Sequence, residues 1–332
     1  MLETCLTYEL SSSLEDASVD PELQRLLETA WSERHDAGVG FRYHLNIERE
    51  RVADGRFGFL ILLNRQRLTE RRQPYAFLLD APFDASRFNF TRIDPAEIQL
   101  ELLCPFPTTV LINNSPVTVY HSLLVPDLQG SHSQLLTSEG IRVPFELLLR
   151  LPDRRYRIGY NSPGAQASVN HLHLHLLRID TDLYVQRTKL LPVRGMPLLY
   201  RLQDGLPAKG YCFVVRDPTR DLDPVCTALQ KLIETLLERK MAHNLFWTWN
   251  DLHEGVEIRA FVFPRSQQCA NKVAISFNAA FLELCGFVSV GEVTDFERLT
   301  EDTIIQALRD AQGDVYGALG DLYPIEATDP DQ

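Results

Sequence analysis

Residues 168–178 read SVNHLHLHLLR, a stretch in which three histidines alternate with three leucines. His171, His173 and His175 make up a third of the nine histidines in the chain. Because side chains of a β-strand point to alternate faces, this pattern predicts a strand that carries all three imidazoles on one face. The leucines would anchor the other face in a hydrophobic core, so the strand would form a rigid base for a catalytic group.

Length and composition narrow the class of protein around this stretch. The 332 residues suffice for one large domain or two smaller ones, and the net charge is −12. An acidic surface repels phosphates, so we expect neither nucleic-acid nor membrane-surface binding. The six cysteines are scattered without a C-x-x-C pair, which favours reduced thiols. With no signal peptide and no apolar run near the roughly 20 residues of a membrane span, we expect a cytoplasmic protein.

The predicted order strand–helix–strand–strand occurs twice. In the first copy a helix within 133–150 precedes the strands RYRIGYN and VNHLHLHLLRI. In the second, GYCFVVR and a helix opened by Asp223-Pro224 precede HNLFWTWN and GVEIRAFVFPR. We therefore predict an α+β fold of two related halves with antiparallel sheets and packed helices. Residues 1–40 form an N-terminal extension and helix, 41–182 the half with the histidine row, and 183–332 a degenerate second half with C-terminal helices.

The second copy lacks the histidines. Laying VEIRAFVFP on NHLHLHLLR places Glu257, Arg259 and Phe261 at the positions of the three imidazoles. A further helix is expected from about Ser276 to Cys285, with Gly286 as its C-cap, and helical structure from Leu299 to about Leu322.

Metal binding is one alternative for the histidine row. His171 and His175 would lie about 13 Å apart at strand rise, too far to share one ion with His173 between them. Two adjacent histidines could bind a metal with help from elsewhere, but no nearby cysteine or carboxylate spacing completes such a site. A strand with merely exposed histidines is the other alternative, and it gives no reason for the clustering. We expect no metal and no cofactor.

Nucleophilic catalysis fits the row better. A neutral imidazole can attack phosphorus and form a phosphoramidate, which divides one displacement into two. The ring then needs a partner on its other nitrogen to fix the tautomer. The preceding loop, NSPGAQAS at 161–168, offers amides and hydroxyls that could hold phosphate oxygens.

The motif HLHLHLL resembles that of the histidine triad superfamily of nucleotide hydrolases and transferases. Further stretches are similar to the GDP-D-glucose phosphorylase family, with the plant GDP-L-galactose phosphorylases more distant. The resemblance covers roughly residues 40–325. The stretches are FRYHLNI, LLNRQR, APFDASRFNFTRI, NNSP…HSLLVPD, GYNSPGAQASVNHLHLH, MAHNLF and ISFNAAFLELCG.

The resemblance implies a histidine-triad-like fold and a nucleotidyltransferase whose catalytic half is 41–182. Its substrates would be GDP-D-glucose and inorganic phosphate. His173 would attack the α-phosphorus, glucose 1-phosphate would leave, and phosphate would then release GDP from a guanylyl-histidine. His171 and His175 would orient or support the nucleophile.

Other site residues also follow from the resemblance. His121 matches an earlier histidine of the superfamily, although Tyr120 stands where that motif has glycine. Asn113 lies where histidine triad proteins often have a ribose-binding acid. The phosphate-binding loop would contribute Asn161, Gly164, Ser168 and Asn170.

Several other groups are given a structural interpretation. Core packing is preferred for most of the aromatic residues that could stack on guanine. Arg71-Arg72 could hold phosphates or lie on a solvated surface, and the solvated surface is preferred. The same two interpretations apply to Arg265 and Lys272. Glu257 and Arg259 are given no catalytic role. A loop surface is expected for the turn at 251–254. The aromatic set comprises Phe88, Phe90, Phe246, Trp247 and Trp249.

Three functional alternatives stay open at this level. They are a nucleotide-sugar hydrolase, an enzyme like GDP-L-galactose phosphorylase, and a non-catalytic guanine-nucleotide-binding regulator. The spacing of residues fixes neither the base nor the hexose, because specificity depends on a few hydrogen bonds at pocket edges. A homodimer is also left open.

Overall fold

The structure is a computed structural model that describes residues 6–10, 19–72, 75–103, 106–252, 255–269, 276–320 and 322–325. The helices are α1 (Pro21–Ala37), α2 (Arg65–Glu70), α3 (Ser138–Arg150), α4 (Pro218–Glu238), α5 (Phe281–Cys285), α6 (Val293–Arg298), α7 (Glu301–Gln312) and α8 (Val315–Leu319). The strands are β1 (Thr7–Tyr8), β2 (Arg49–Val52), β3 (Leu60–Leu63), β4 (Ile98–Leu102), β5 (Thr108–Ile112), β6 (Ser122–Pro126), β7 (Tyr156–Asn161), β8 (Leu174–Arg178), β9 (Leu190–Val193), β10 (Met196–Leu202), β11 (Tyr211–Val215), β12 (His243–Leu252), β13 (Gly255–Pro264) and β14 (Phe287–Val290).

The first helix shows how local sequence sets an element. The Asp20 carboxylate accepts a hydrogen bond from the backbone of Leu23, and Pro21 occupies the first turn, where its missing N–H costs nothing. Gly38 ends the helix in the left-handed conformation. Leu23, Leu27 and Trp31, spaced by four residues, form its buried face. This helix was predicted from the sequence, and the prediction is confirmed.

One large sheet crosses both halves of the chain. Its strand order is β1-β4-β5-β6-β8-β7-β12-β13-β11-β10-β9, and all pairs are antiparallel except β1 with β4. The central six strands form a mirrored sequence in which β6-β8-β7 is followed by β12-β13-β11. The predicted α+β class and the repeated strand–helix–strand–strand order are both confirmed, as β6-α3-β7-β8 and β11-α4-β12-β13.

The strand register shows which residues of the two halves are equivalent. His175 pairs with Gly159, Phe261 pairs with Phe246, and Gly159 and Phe246 pair with each other across the β7–β12 junction. Phe261 therefore occupies the position equivalent to His175, as the alignment of the two sequence stretches predicted.

The two faces of the sheet are covered differently. Leu172, Leu174 and Leu176 are buried in a core that includes the apolar faces of α3 and α4. The opposite face packs on α5 and on a small second sheet of order β14-β3-β2. None of the helices in the described part of the chain is long and apolar enough to span a bilayer.

The strand that carries the histidine row is shorter than predicted. It begins at Leu174, so His171 and His173 precede it. The strand is shorter because two backbone N–H groups form hydrogen bonds outside the sheet. Leu172 N–H donates to the His132 carbonyl, and His173 N–H donates to the Gln134 side chain. These groups therefore do not pair with a neighbouring strand.

Two helix predictions also need correction. The helix expected from Ser276 begins only at Phe281, because the Glu283 carboxylate accepts from the Ala280 N–H and caps the chain there. Gly286 ends it in the left-handed region, as expected. The last helical stretch is divided into α7 and α8 at Gly313, which has a φ of 67°.

Candidate active site

The three imidazoles lie close together around the start of β8. The ring centroids of His173 and His175 are 5.3 Å apart. The ring of Phe90 lies 5.1 Å from that of His173 and 5.5 Å from that of His171. The row is therefore a continuous aromatic surface, with His171 and His173 held by Phe90 although they lie outside the strand.

The Nδ1 atom of His173 faces two oxygens. It lies 2.8 Å from the backbone carbonyl of His171 and 2.8 Å from Oε1 of Gln134. A carbonyl and an amide oxygen can only accept, so Nδ1 must be the donor. The neutral ring therefore carries its proton on Nδ1 and its lone pair on Nε2.

Gln134 is one of the site residues that sequence reasoning missed. It is fully buried, and its amide nitrogen donates to the carbonyls of Asn161 and His173, both at 3.0 Å. Its Oε1 accepts from the backbone N–H of His173 at 2.9 Å. These bonds fix the orientation of the amide, so Oε1 must face His173. No local pattern in GSHSQLL marks this glutamine, which lies 39 residues before the histidine.

A second histidine pair lies beside the first. The backbone N–H of Val117 donates to Nδ1 of His121 at 3.1 Å, so the proton of this neutral ring is on Nε2. That Nε2 lies 3.0 Å from Nδ1 of His175, which can accept its proton, and 3.0 Å from the amide nitrogen of Asn113, a second donor that makes no hydrogen bond to it in this tautomer. Burial holds the pKa of His121 well below its ordinary value, which keeps the ring neutral. His121 then donates to His175, and the His175 proton is on Nε2.

The residue before His121 has an unusual backbone. Tyr120 has a φ of 57°, in the left-handed region that glycine adopts without strain. This is the position where the superfamily motif has glycine. The tyrosine keeps the conformation, and the Arg178 guanidinium lies 5.9 Å from its ring centroid.

Two cavities meet at the histidine row. The first is lined in part by α5, and both combine polar and apolar groups in similar proportion. Ser168, His175, Arg67 and Arg71 line both. His121, Asn161, Gln166, Asn278, Phe281 and Glu283 line the first. His173, Phe88, Phe90, Glu97, Asn113 and Asn114 line the second.

The predicted site residues fall into two groups. Asn161, Ser168, Asn113 and His121 line the cavities together with His173 and His175. The other three predicted residues, His171, Gly164 and Asn170, are buried behind the cavities.

Each of these three residues has its own contacts behind the cavities. The ring of His171 accepts from the Phe90 N–H, and burial lowers its pKa to about 4. Gly164 accepts a backbone hydrogen bond from Cys269. The Asn170 amide accepts from Gln134 and donates to the carbonyls of residues 81 and 82.

The solvated interpretation of Arg71-Arg72 is wrong. Both are partly buried, Arg71 lines both cavities, and Arg72 lies over the ring of Phe88 at 3.2 Å from the centroid. Burial lowers the pKa of Arg71 and the neighbouring charge of Arg67 adds to this effect. The sequence could not show this, because the segment that follows α2 meets the distant histidine row only in the folded chain.

The aromatic residues divide between core and cavity. Phe246 and Trp247 are fully buried and Trp249 is partly buried, which agrees with the packing interpretation. Phe88 and Phe90 instead line the second cavity.

The charged residues of the second half also have clear places. Glu257 and Arg259 form a buried pair at 2.6 Å. Arg265 is buried, and its guanidinium donates to the Asn244 side chain. His253, Glu254 and Lys272 lie outside the described residues. In the described ranges, no three His, Cys, Asp or Glu side chains form a group that could hold a metal ion.

Comparison with known proteins shows which family the chain resembles. A family model described as "GDPGP1-like, N-terminal domain" matches residues 22–177, and one described as "GDPGP1-like, C-terminal domain" matches 204–312. GDP-D-glucose phosphorylase 1 of Danio rerio is 34% identical over 84% of this chain and 83% of its own. The Homo sapiens protein of that name is 31% identical over 90% and 81%.

Two further similarities are more distant. GDP-L-galactose phosphorylase 2 of Arabidopsis thaliana is 28% identical over 58% of this chain and 49% of its own. The crystal structure of yeast Ap4A phosphorylase Apa2 in complex with Ap4A covers 89% of this chain and 98% of that one, with a TM-score of 0.61 and 18% identity. That match confirms the fold class predicted from the order of elements and from the family resemblance. With both domain models matched in chain order, and with relatives above 30% identity over most of its length, the chain belongs to the GDPGP1-like family.

Proposed function

We propose that the protein is a GDP-D-glucose phosphorylase that converts GDP-D-glucose and phosphate to GDP and D-glucose 1-phosphate by double displacement at the α-phosphorus. Its relatives named GDP-D-glucose phosphorylase 1 support the reaction. The observation that carries the mechanism is the buried His173 ring, whose Nδ1 faces two acceptor oxygens. An imidazole held in this tautomer presents Nε2 as the nucleophile without prior loss of a proton.

The first displacement forms a phosphorus–nitrogen bond. Nε2 of His173 attacks the α-phosphorus, and the bond from that phosphorus to the α,β-bridging oxygen breaks. The bridging oxygen leaves with the β-phosphoryl group as glucose 1-phosphate, and a guanylyl group stays on the histidine. The developing negative charge on the leaving group is matched by a donor, because the hydrogen bond from His121 to Nδ1 of His175 leaves the proton of the neutral His175 ring on Nε2.

The second displacement reverses the roles. An oxygen of inorganic phosphate attacks the same phosphorus, the phosphorus–nitrogen bond breaks, and the electron pair returns to Nε2. The product is GDP, and His173 is regenerated with its proton still on Nδ1. Arg67 and Arg71, which line both cavities, supply positive charge for the phosphate oxygens in both steps.

The two cavities suit the two ends of the substrate. The second cavity, with Phe88, Phe90 and the amides of Asn113 and Asn114, would take guanosine. The first cavity, whose lining includes the amides of Asn161 and Asn278, would take the hexose phosphate and then phosphate. Ser168, at the junction, is available to hold the reacting phosphoryl group.

A GDP-L-galactose phosphorylase activity is a second candidate, supported by the Arabidopsis relative. It differs only in the hexose, so turnover of GDP-D-glucose and GDP-L-galactose under equal conditions separates the two. A hydrolase would release GMP rather than GDP, and a non-catalytic regulator would release neither. The cytoplasmic location inferred from the sequence forms part of this proposal, and the homodimer is left open.

Replacement of the nucleophile tests the mechanism. In wild-type protein quenched after mixing with GDP-D-glucose alone, intact mass should increase by one guanylyl group, and the adduct should map to His173. His173→Ala should form no adduct and should lose phosphorolysis by at least about 10³-fold, because water cannot replace an oriented imidazole. His44→Ala is the matched control, since His44 is an exposed histidine outside both cavities. Normal turnover by His173→Ala would exclude the mechanism.

A further inference from the structure

We infer that the Glu97 carboxylate selects guanine, by accepting hydrogen bonds from N1–H and the 2-amino group of a base bound in the second cavity. This inference rests on the proposed function, because it places the guanosine end of the substrate in that cavity. It adds the residue that decides the base, which the histidine row itself does not.

The second cavity has the wall that a purine needs. Phe88 and Phe90 lie at 5.9 Å from each other with perpendicular rings, and the aliphatic side chains of Leu111 and Leu123 complete the apolar surface. Apolar and aromatic surfaces of this kind pack on the faces of a flat base but do not distinguish one base from another. Selection therefore requires a polar group at the edge of the base.

Glu97 is the acidic residue in the lining of this cavity. It is half-buried, and Oε2 lies 3.4 Å from the Asn114 amide, a long contact. In the ranges that the structure describes, Glu97 forms no ion pair, although the charge of Arg72 acts on it. Burial raises the pKa of Glu97, and a hydrogen bond from the backbone at Asp94 and the charge of Arg72 offset this effect only in part. Partial burial of this carboxylate costs free energy, and a ligand that donates hydrogen bonds to it would offset that cost.

The first cavity offers no equivalent. Its acidic residue, Glu283, accepts a hydrogen bond from the Ala280 N–H at 3.0 Å and caps α5. The two cavities therefore differ in the availability of a carboxylate, and this difference supports the orientation of the substrate given above.

Guanine is the common purine that matches Glu97. Its N1–H and 2-amino groups are adjacent donors, so a carboxylate can accept from both at once. Hypoxanthine keeps only N1–H, and adenine presents an acceptor at N1, which would face the carboxylate unpaired. A site that leaves a buried polar group unpaired rejects the wrong ligand by large factors.

The test combines Glu97→Gln with a series of bases. The substrates are GDP-glucose, IDP-glucose and ADP-glucose, and the control is Glu101→Gln, a glutamate of β4 that is bonded to Thr109 outside the cavity. In the wild type and in Glu101→Gln, kcat/KM should fall in the order GDP, IDP, ADP. In Glu97→Gln, kcat/KM for GDP-glucose should fall by about 10²-fold, with a much smaller change for ADP-glucose.

A binding measurement separates this inference from the proposed function. Titration of the same proteins with GMP, IMP and AMP needs no turnover, so it reports base selection even in a protein that does not react. A wild-type protein that prefers GMP, and a Glu97→Gln protein of unchanged thermal stability that does not, would support the inference. Unchanged base preference in Glu97→Gln would overturn it. Absence of phosphorolysis in the wild type would instead overturn the proposed function.

Discussion

Gln134 contacts both the main chain and the ring of His173, which makes it the residue that positions the proposed nucleophile. Its Oε1 accepts from the backbone N–H at 2.9 Å and lies 2.8 Å from Nδ1. Its amide nitrogen donates to the carbonyls of Asn161 and His173. One side chain therefore links the strand β7, the loop before β8 and the imidazole.

Exchange of the Gln134 amide for a carboxylate should change catalysis without emptying the site. In Gln134→Glu the acceptor for Nδ1 remains, but the donors to two carbonyls are lost, so the ring will shift. We expect kcat to fall roughly 10- to 100-fold, with KM for GDP-glucose within about twofold, because small displacements of a reacting group cost this much. Single-turnover release of glucose 1-phosphate should slow equally.

The control is Gln129→Glu, an exposed glutamine in the same loop region, which should behave as wild type. If Gln134 had only a structural role, Gln134→Glu would have a lower melting temperature and a smaller fraction of active protein. The active fraction would then keep its normal kcat. That result would contradict the positioning role.

Among single residues, the histidine row was predictable from the sequence, but the side chains that surround it in the folded protein were not. A period of two is a local property, so the spacing of His171, His173 and His175 was enough to place the leucines in the core. Gln134 and Glu97 reach the row only through the folded chain, from 39 and 76 positions away. The partial burial of Arg71 is a long-range effect of the same kind.

Among the elements, β7 and α5 approach so closely that only glycine fits between them. A Cβ on Gly159 would overlap the ring of Phe281, which itself lies 5.3 Å from the His175 ring. Gly159 pairs directly with His175 in the ladder. The missing side chain thus allows α5 to close the cavity beside the histidine.

A methyl group at this contact should destabilise the protein and displace the helix. We expect Gly159→Ala to cost about 1–3 kcal/mol of unfolding free energy and to lower kcat/KM, because overpacked cores shift their backbone. Denaturant unfolding of Gly159→Ala, Phe281→Ala and the double variant measures the coupling. The double variant should be more stable than the sum of the single losses predicts, since removal of the ring relieves the overlap. Strict additivity would show that the two residues do not interact.

The shortened β8 shows why element boundaries escape sequence reasoning. The alternation of histidine and leucine runs through 171–176, yet the backbone N–H groups of 172 and 173 donate to the His132 carbonyl and the Gln134 side chain. Those acceptors lie in a loop whose position depends on the whole fold. The helix at Phe281 was overestimated for a related reason, because its capping glutamate lies inside the predicted helix.

In the whole molecule, the second half lines much of the first cavity through α5 and β14, and it also holds the polar loop of the first half. Asn244 of β12 donates to the Asn161 side chain at 2.6 Å and to the Ala165 carbonyl at 2.8 Å. Buried Arg265 donates to Asn244 in turn, and burial lowers its pKa to about 10, so it is still charged at neutral pH. The polar loop of the first half is therefore held from across the β7–β12 junction.

Buried neutral histidines should make the global stability dependent on pH. Burial lowers the pKa of His243 to about 4, so between pH 6.5 and 4 the unfolded chain binds a proton that the folded chain does not. Stability therefore rises with pH in this window and is lost as the pH falls. This one ring should contribute up to about 1.4 kcal/mol per pH unit.

Unfolding by denaturant at several pH values between 5 and 7 measures this contribution. His243→Asn should reduce the slope of unfolding free energy against pH, and exposed His44→Asn should leave it unchanged. Equal slopes in His243→Asn and the wild type would show that His243 is protonated in the folded protein.

The hydrogen-bonded junction between β7 and β12 affects how genetic variants of this protein would be interpreted. A substitution that loosens β12 or the Asn244 contacts would be scored as loss of enzyme, although the altered residue never meets the sugar nucleotide. In a variant survey read by activity alone, harmful changes would thus spread over both halves of the gene. The positions of these harmful substitutions would follow the sheet that both halves share, and not only the residues that contact the substrate.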